Sequence, residues 1–495
     1  QTAAWNHKLP NLAMPWFGSH PKVGRPPREA RIGPGPDAPR FQNPFIVEGI
    51  GMLPRVRALA GGRDVGNKGV GRPATLNRTA RTRRIEAPLG RLTIMTSLFA
   101  GIQDAPLDPI MRLFEAFNAD TSTKKLNLVV GVYTDADGKV PRLRAVQTAE
   151  KRWIEKGLPK TYRPIEGTKP FRDAVQALLF GVGAPILKQN RTATLQSIGG
   201  TGALKTGADV LARLNPGATV AVSNPSWENH KALFTQAGFT VVDYPYFSAE
   251  TGGVDYPAMR AYLQDLPKGS IVVLHACCHN PTGADLTPDQ WSDLAPLLAE
   301  RGLIPFLDIA YQGFGDGLDA DAAPVRLFAE SGQEFFVASS FSKSFSLYGE
   351  RVGALTIVAE NPAMKTKVEA LAKRLVRASY SNPVTHGAAI VEMVLTDPEL
   401  RADWERELAE MRERIRSMRV RMADSLQQRH PERGFDAIKA QKGMFSYTGL
   451  TPTEATRLRE EHEVYALETG RICVAAVNTH NIDHVVDAID AVVKG

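Results

Sequence analysis

The chain has 495 residues, of which 43% are hydrophobic and 23% are charged, and its formal net charge is +7. This length exceeds that of one ordinary domain, and the composition is that of a soluble globular protein rather than a fibrous or wholly disordered one. No apolar run approaches the roughly 20 residues that a membrane span needs, so we predict no membrane partner.

Residues 1–94 differ from the rest of the chain. They hold 16 Lys and Arg but only 5 Asp and Glu, together with 12 Pro and 12 Gly. A segment so rich in Pro and Gly usually stays disordered. A transit peptide or a basic nucleic-acid tail would each explain the arginines. Because no helix-turn-helix pattern is present, we predict no nucleic-acid partner; we expect an extraneous segment, with the working protein starting near Met95.

Short β-branched or apolar runs alternate with helical patterns after Met95, which predicts an α/β fold with a mostly parallel sheet. The strand-like runs are Thr219–Val222, Ile271–Leu274, Leu303–Leu307 and Phe335–Ala338. Each of them is followed at once by polar side chains that can do chemistry. Ligands of such sheets bind beyond the carboxyl ends of the strands. The sequence therefore predicts a ligand site at this edge.

One long helix is predicted from Leu400 to about His430. Its apolar residues recur at spacings of three and four, which places them on one face: Trp404, Leu408, Met411, Ile415, Met418, Met422 and Leu426. A coiled coil would use a cleaner Leu or Ile seam, so a helix that faces the core is favoured.

We predict three parts after residue 94. Residues 95–140 would form an N-terminal arm and part of a small domain, and 141–410 a large domain that holds the predicted ligand site. The runs Met444–Tyr447 and Ile472–Val477, with a final helical pattern, give 411–495 the composition of a small α+β domain.

A glycine turn suited to an anion precedes the helical pattern Leu204–Leu214. Its sequence is Gly-Gly-Thr-Gly from Gly199 onward, and glycines let backbone N–H groups approach an anion at a helix N-terminus. Such a turn alone is more often a plain loop. Ser340, Ser342 and Arg351 add donors suited to a phosphate.

Lys343 and Asp308 are the predicted reactive pair. A lone lysine is usually a solvated surface charge. Lys343, however, follows an apolar strand, and a partly desolvated lysine near other cations becomes nucleophilic enough for Schiff-base chemistry. Asp308 ends another apolar run, where a buried carboxylate needs a cationic partner such as a protonated pyridine nitrogen. The alternative is that Asp308 caps the next helix.

The three cysteines fit no metal or disulfide pattern. Cys277 and Cys278 are adjacent, and Cys473 is alone, so no C-x-x-C spacing exists. We therefore predict no metal site, small buried thiols and a reducing cytoplasmic location.

Five segments carry a family resemblance, in order and at family spacing: Ser223–His230 (SNPSWENH), His279–Gly283 (HNPTG), Asp308–Phe314 (DIAYQGF), Ser339–Gly353 (SSFSKSFSLYGERVG) and Ser379–Gly387 (SYSNPVTHG). From about Leu98 to its end the chain resembles class I aminotransferases of fold type I, and more narrowly the bacterial aspartate and aromatic-amino-acid (tyrosine) aminotransferases. The resemblance implies pyridoxal 5'-phosphate as cofactor and a mostly parallel central sheet flanked by helices, with a smaller α+β domain. It does not extend to residues 1–94.

The resemblance also implies roles for the residues around the cofactor ring. Lys343 would form the Schiff base and carry the proton of the substrate Cα. Asp308 would pair with the pyridine nitrogen, and His230 would support it from behind. Tyr311 and Asn280 would bind the ring oxygen.

Further contacts follow from the same resemblance. Trp227 would stack on the cofactor ring. The phosphate contacts would come from Gly200, Thr201, Ser340, Ser342, Arg351 and, from a neighbouring subunit, Tyr162.

The substrate contacts imply a homodimer with shared sites. Arg471 would bind the α-carboxylate, and Arg377 of the neighbouring subunit would bind the distal carboxylate. Gly131 would lie on a mobile segment that closes over the substrate, which Trp227 and Asn280 also contact.

Two sets of residues indicate different substrates. Three segments resemble aromatic-amino-acid enzymes: Leu347–Glu350, Gly283–Leu286 and Lys442–Tyr447. Val132, Thr201 and Asn382 instead match aspartate enzymes. We predict a dual-range enzyme that transaminates tyrosine, phenylalanine and aspartate with 2-oxoglutarate. A strict aspartate aminotransferase is the alternative, and a pyridoxal-phosphate decarboxylase or a regulatory module that binds the cofactor is less favoured.

Overall fold

The computed structural model describes residues 97, 99–102 and 109–495. All of them belong to one compact unit, Ser97–Gly495. The segment 1–94, with its predicted disordered or extraneous character, lies outside the described residues. The division into 95–140, 141–410 and 411–495 also stays a prediction.

Thirteen strands are present in the described part of the chain. In chain order they are β1 (Leu126–Asn127), β2 (Thr192–Ile198), β3 (Thr219–Asn224), β4 (Thr240–Pro245), β5 (Phe247–Ser248), β6 (Gly253–Val254), β7 (Ile271–His275), β8 (Ile304–Ile309), β9 (Phe335–Ser340), β10 (Val352–Val358), β11 (Phe445–Tyr447), β12 (Val464–Tyr465) and β13 (Arg471–Cys473).

Fifteen α-helices accompany these strands in the same part of the chain. They are α1 (Pro109–Ala119), α2 (Arg144–Glu155), α3 (Lys169–Phe180), α4 (Pro185–Lys188), α5 (Gly199–Leu214), α6 (Glu228–Gln236), α7 (Tyr256–Asp265), α8 (Pro288–Arg301), α9 (Leu318–Asp321), α10 (Ala323–Glu330), α11 (Pro362–Ser379), α12 (His386–Thr396), α13 (Pro398–Arg429), α14 (Pro452–His462) and α15 (Ile482–Lys494). Short 3-10 turns lie at Tyr348–Glu350, Pro431–Arg433, Phe435–Ala440 and Val474–Ala476.

Seven strands form the central sheet, in the order β2, β10, β9, β8, β7, β3, β4. Only β10 runs antiparallel to its neighbours, and all other pairs are parallel. The predicted mostly parallel sheet is therefore confirmed. Both faces of the sheet are buried, because Val272 and Leu274 belong to one apolar cluster and Ile271 and Val273 to another. Buried faces explain why these strands read as continuous apolar runs.

The predicted long helix is α13, and all seven residues of its apolar stripe are buried. It begins two residues before the predicted start, at Pro398. The side chain of Asp397 accepts hydrogen bonds from the backbone N–H groups of Glu399 and Leu400. An aspartate N-cap followed by proline is a favourable helix start.

Several element bounds differ slightly from the sequence prediction, and two differ by more than two residues. Helix α5 begins at Gly199 rather than at Leu204, so the glycines form its first turn. The run Ile472–Val477 is only partly a strand, because β13 ends at Cys473 and a 3-10 turn follows. Among the described residues, no helix is both long and apolar enough to cross a membrane.

Candidate active site

A cavity of about 250 Å³ lies at the carboxyl ends of β7, β8 and β9, beside the start of α5. This is the sheet edge at which the sequence predicts a ligand site. The predicted site residues that line the cavity are Gly131, Gly200, Thr201, Trp227, Asn280, Asp308, Tyr311, Ser340, Ser342, Lys343, Arg351 and Arg471.

Lys343 follows β9 and reaches the cavity with its amine 4.6 Å from the ring centroid of Tyr311. Burial lowers the pKa of Lys343 to about 8; the charge of Asp308 opposes this shift and that of Arg351 adds to it. The amine is therefore uncharged at a lower pH than an ordinary lysine. An uncharged amine is the form that attacks an aldehyde.

Asp308 lies inside β8 with 4% of its surface exposed. Its Oδ2 accepts a hydrogen bond from Nε2 of His230 at 3.0 Å, and Nδ1 of His230 lies 3.0 Å from Oγ of Ser226. Burial alone would raise the pKa of Asp308, but the hydrogen bond and charge of His230 lower it overall. Oδ1 has no hydrogen-bond partner among the described residues. The position inside a strand rules out the alternative that Asp308 caps a helix.

Asn280 connects two other predicted site residues. Its side-chain amide lies 3.5 Å from the hydroxyl of Tyr311, and its Oδ1 accepts a hydrogen bond from Arg471 at 3.3 Å. Burial raises the pKa of Tyr311, so its hydroxyl stays protonated and can donate. The pair therefore presents donors at the same cavity wall.

The glycine turn and Arg351 form a cradle at one end of the cavity. Nη1 of Arg351 donates to Oγ of Ser342 at 3.3 Å. Gly199 has a positive φ of 66°, and a Cβ there would lie 2.5 Å from Nη2 of Arg351. A Cβ at Gly200 would lie 3.0 Å from Cβ of Ser340. The free N–H groups of the first turn of α5, with this arginine, suit a phosphate.

Arg471 begins β13 and has only 2% of its surface exposed. Its Nη2 donates to the carbonyl oxygen of Val129 at 2.7 Å, and its guanidinium carbon lies 4.4 Å from the ring centroid of Phe445. Nε has no hydrogen-bond partner within the described residues, and no carboxylate there forms an ion pair with Arg471. A buried, unpaired guanidinium is costly unless an anion binds it.

Three predicted site residues do not line the cavity of this chain. His230 lies behind Asp308 and is fully buried, while its ring packs edge-on against Trp227. Tyr162 is 89% exposed, and Arg377 is exposed at the end of α11, where it donates to Ser381. The single chain thus brings neither Tyr162 nor Arg377 to its own cavity.

Several residues that line the cavity were not predicted as site residues. They are Ile110, Val129, Val130, Leu204, His275, Ala310, Tyr348 and Phe445. His275 pairs in register with Asp308 on the adjacent strand. The sequence signal for His275 as a site residue was its position at the end of an apolar strand. Tyr348 lies within the lysine segment, and Phe445 lies within Lys442–Tyr447, one of the segments that resemble aromatic-amino-acid enzymes.

Cys277, Cys278 and Cys473 are buried free thiols. The prediction that Cys277 and Cys278 are small buried residues is confirmed. Burial raises the pKa of Cys473, and contact with Cys278 together with burial raises that of Cys277. Both shifts disfavour the reactive thiolate.

Comparison with known proteins agrees with this arrangement. The family model described as aminotransferase class I and II matches residues 123–489. An aspartate aminotransferase of Pseudomonas aeruginosa is 56% identical over 393 residues, which cover 79% of this chain and 99% of that protein. An aromatic-amino-acid aminotransferase of Escherichia coli is 49% identical over 386 residues, covering 78% and 97%.

A solved structure gives the same result. The aromatic-amino-acid aminotransferase of Burkholderia pseudomallei, covalently bound to pyridoxal phosphate, superposes with a TM-score of 0.79 at 57% identity. The match covers 80% of this chain and 100% of that one. The predicted family, fold and enzyme class are confirmed, and the chain belongs to the class I and II aminotransferases.

Proposed function

We propose that this aminotransferase transfers the amino group of tyrosine, phenylalanine or aspartate to 2-oxoglutarate, with pyridoxal 5'-phosphate as its cofactor. One observation carries the proposal. Asp308 and Arg471 are buried and charged in one cavity with Lys343, and each of the two keeps an atom, Oδ1 or Nε, without a partner among the described residues. A cationic ring nitrogen suits the first atom, and a carboxylate suits the second.

The residues of the cavity fit the cofactor. Bound pyridoxal phosphate supplies an electron sink for the bond that breaks at the substrate Cα. Asp308 keeps the proton on the ring nitrogen, and His230 keeps Asp308 ionised and oriented. Tyr311 and Asn280 donate to the ring oxygen. The amine of Lys343 would hold the aldehyde end of the cofactor; once the substrate amine has replaced it there, the freed amine would accept the Cα proton and return it.

The remaining cavity residues bind and orient. Trp227 covers the ring face, and Arg471 holds the α-carboxylate through its free donors. Gly131 belongs to the backbone segment that excludes water over the substrate. The phosphate is held by Gly200, Thr201, Ser340, Ser342 and Arg351. Holding the substrate by its α-carboxylate and the cofactor by its phosphate orients the two molecules, and this orientation speeds the proton transfer at Cα.

The working enzyme is, in this proposal, a homodimer with shared sites. Arg377 is an exposed cation that forms no ion pair among the described residues, and Tyr162 is an exposed aromatic residue. From a second copy, Arg377 would bind the distal carboxylate of aspartate or 2-oxoglutarate, and Tyr162 would reach the phosphate. The three buried free thiols support a reducing, cytoplasmic location.

The substrate range rests on relatives of both kinds. The chain is 56% identical to an aspartate aminotransferase and 49% identical to an aromatic-amino-acid aminotransferase. A guanidinium such as Arg377 can bind a carboxylate or turn to solvent when an apolar ring enters. The aromatic-amino-acid enzyme of Burkholderia pseudomallei is 57% identical, and the 56% identity to the aspartate enzyme keeps a strict aspartate aminotransferase as the second candidate.

Steady-state kinetics with 2-oxoglutarate as acceptor test the proposal. The values of kcat/KM for tyrosine, phenylalanine and aspartate are compared with those for a branched-chain amino acid, on the full chain and on protein starting at Met95. We expect turnover of all three and little of the branched-chain substrate. Turnover of aspartate alone would establish the second candidate, and no transamination at all would refute both.

A further inference from the structure

A short backbone segment, Val129–Tyr133, passes along the cavity. Val129, Val130 and Gly131 line the cavity, and a Cβ at Gly131 would overlap the ring of Phe445. The segment forms no strand, and its first two N–H groups, those of Val129 and Val130, donate to Oδ1 of Asn127. Side chains outside the segment therefore form most of the hydrogen bonds that set its position.

Hydrogen bonds hold the segment at both ends. At its start, the carbonyl oxygen of Val129 accepts from Nη2 of Arg471 at 2.7 Å. At its end, the backbone N–H of Tyr133 donates to the hydroxyl of Tyr348 at 2.9 Å. The backbone carbonyl of Tyr348 accepts from Nη1 of Arg351 at 3.0 Å. The segment and Tyr348 thus connect Arg471, the proposed α-carboxylate ligand, with Arg351, the proposed phosphate ligand.

The ring of Tyr133 is buried against Arg414 of the long helix α13. The guanidinium carbon of Arg414 lies 4.1 Å from the ring centroid. The same guanidinium donates to the carbonyl oxygens of Ala475 at 2.7 Å and Val477 at 3.2 Å, just beyond β13. The carbonyl of Ala475 also accepts from the N–H of Thr134 at 3.3 Å. The planar guanidinium of Arg414 therefore links α13 to both the segment and the turn after β13.

We propose that Arg414 and Tyr348 are positioning residues for the substrate α-carboxylate, because both act through Tyr133 on the segment that binds Arg471. Arg414 does not line the cavity; Tyr348 does, but its hydroxyl accepts the hydrogen bond of the Tyr133 N–H. Arg414 binds the turn that directly follows β13, the strand that carries Arg471. It also packs on the ring of Tyr133, which lies at the end of the segment. The proposal rests on the aminotransferase activity, and wild-type turnover of tyrosine and aspartate tests that activity separately.

The first test replaces Arg414 by Met in the full-length holoenzyme. We expect kcat/KM to fall by about 10-fold to 100-fold, mainly through a higher KM, since small displacements of a binding group have effects of this size. The value of kcat/KM should fall by the same factor for aspartate and for tyrosine, because both substrates carry the α-carboxylate. The absorption spectrum of the bound cofactor should stay unchanged, which a general loss of structure would not allow.

Arg457→Met is the matched control. Arg457 of α14 is also half-buried and donates to a backbone carbonyl, that of Val492 at 3.2 Å, but it does not line the cavity. We expect its kcat/KM to stay within about twofold of wild type, as for a substitution away from the site. Arg414→Lys should recover only part of the loss, since an ammonium cannot stack on the ring and bind both carbonyls in one plane.

The second test removes the hydroxyl of Tyr348 in Tyr348→Phe, which keeps the backbone carbonyl that Arg351 binds. Its kcat/KM should also fall for both substrates. In the double variant with Arg414→Met, the loss should be smaller than the product of the two single losses, because both act on one segment. If Arg414→Met does not fold, Tyr348→Phe alone tests the hydrogen bond to Tyr133.

Three results would overturn the proposal. The first is a value of kcat/KM for Arg414→Met or Tyr348→Phe within twofold of the control. The second is a loss for aspartate but not for tyrosine, which would place the effect at the distal carboxylate. The third is fully multiplicative losses in the double variant, which would mean that Arg414 and Tyr348 act independently.

Discussion

The carboxylate of Asp308 and the imidazole of His230 form a buried pair, with Nε2 of His230 3.0 Å from Oδ2 of Asp308. The other oxygen, Oδ1, has no partner among the described residues. His230 lies on α6 and Asp308 on β8, so the sheet and helix together fix the direction in which Oδ1 points. This free, ionised oxygen is the feature that a cationic ring nitrogen needs.

Replacing Asp308 by Asn should lower kcat by about 100-fold to 1,000-fold, the usual effect of removing one group that stabilises charge in the transition state. The amide is almost isosteric but cannot hold the ring nitrogen in its protonated form. Single-turnover rates with tyrosine, at a cofactor occupancy verified by absorbance, would measure the loss. A rate within a few-fold of wild type would contradict the role of Asp308.

Replacing Lys343 by Ala should abolish the absorption of the covalently bound cofactor and nearly all turnover, because no other amine would bind the aldehyde. The exposed Lys169, which pairs with Asp173 at one turn's distance, serves as the control in Lys169→Ala. Spectra and turnover of both variants are compared at equal cofactor concentration. Substantial residual activity in Lys343→Ala would refute the mechanism.

The lowered pKa of Lys343 predicts a pH dependence of stability in the cofactor-free chain. The folded-state pKa is about 8 and the unfolded value is 10.5, so between these pH values the unfolded chain binds more protons. Lys343 therefore destabilises the fold below about pH 8, and this effect is lost as the pH rises to 10.5. Urea unfolding of wild type and Lys343→Met at pH 7 to 10.5 measures it: Lys343→Met should be the more stable at pH 7, with the difference vanishing at high pH. A difference that is constant with pH would contradict the shift.

Replacing Arg377 by Leu should lower kcat/KM for aspartate and 2-oxoglutarate by about 10-fold to 100-fold, the value of a charge-assisted hydrogen bond. The half-reaction with tyrosine should change little, because its ring carries no distal carboxylate. Half-reactions of each substrate, followed by stopped-flow absorbance, separate the two effects. Equal losses for aspartate and tyrosine would mean that Arg377 does not recognise the distal group.

The sequence by itself was sufficient for the reaction class and for the sheet edge that holds the site. Lys343 follows one apolar strand and Asp308 lies near the end of another, and the carboxyl ends of parallel strands meet at one edge. The long helix α13 was also predictable, since its apolar stripe has a clear helical period. These features are local, because each depends on residues close together in the chain.

The contacts around Arg471 were decided only by the tertiary structure. Arg471 binds the carbonyl of Val129, 342 positions away in the chain. Arg414, on helix α13, stacks on the ring of Tyr133. Nothing in the local sequence around Arg414 marks this contact, because helical periodicity says which face is buried but not what it packs against. The sequence thus determined which chemistry the chain carries out. The packing of distant segments determined how the groups that bind the substrate are held.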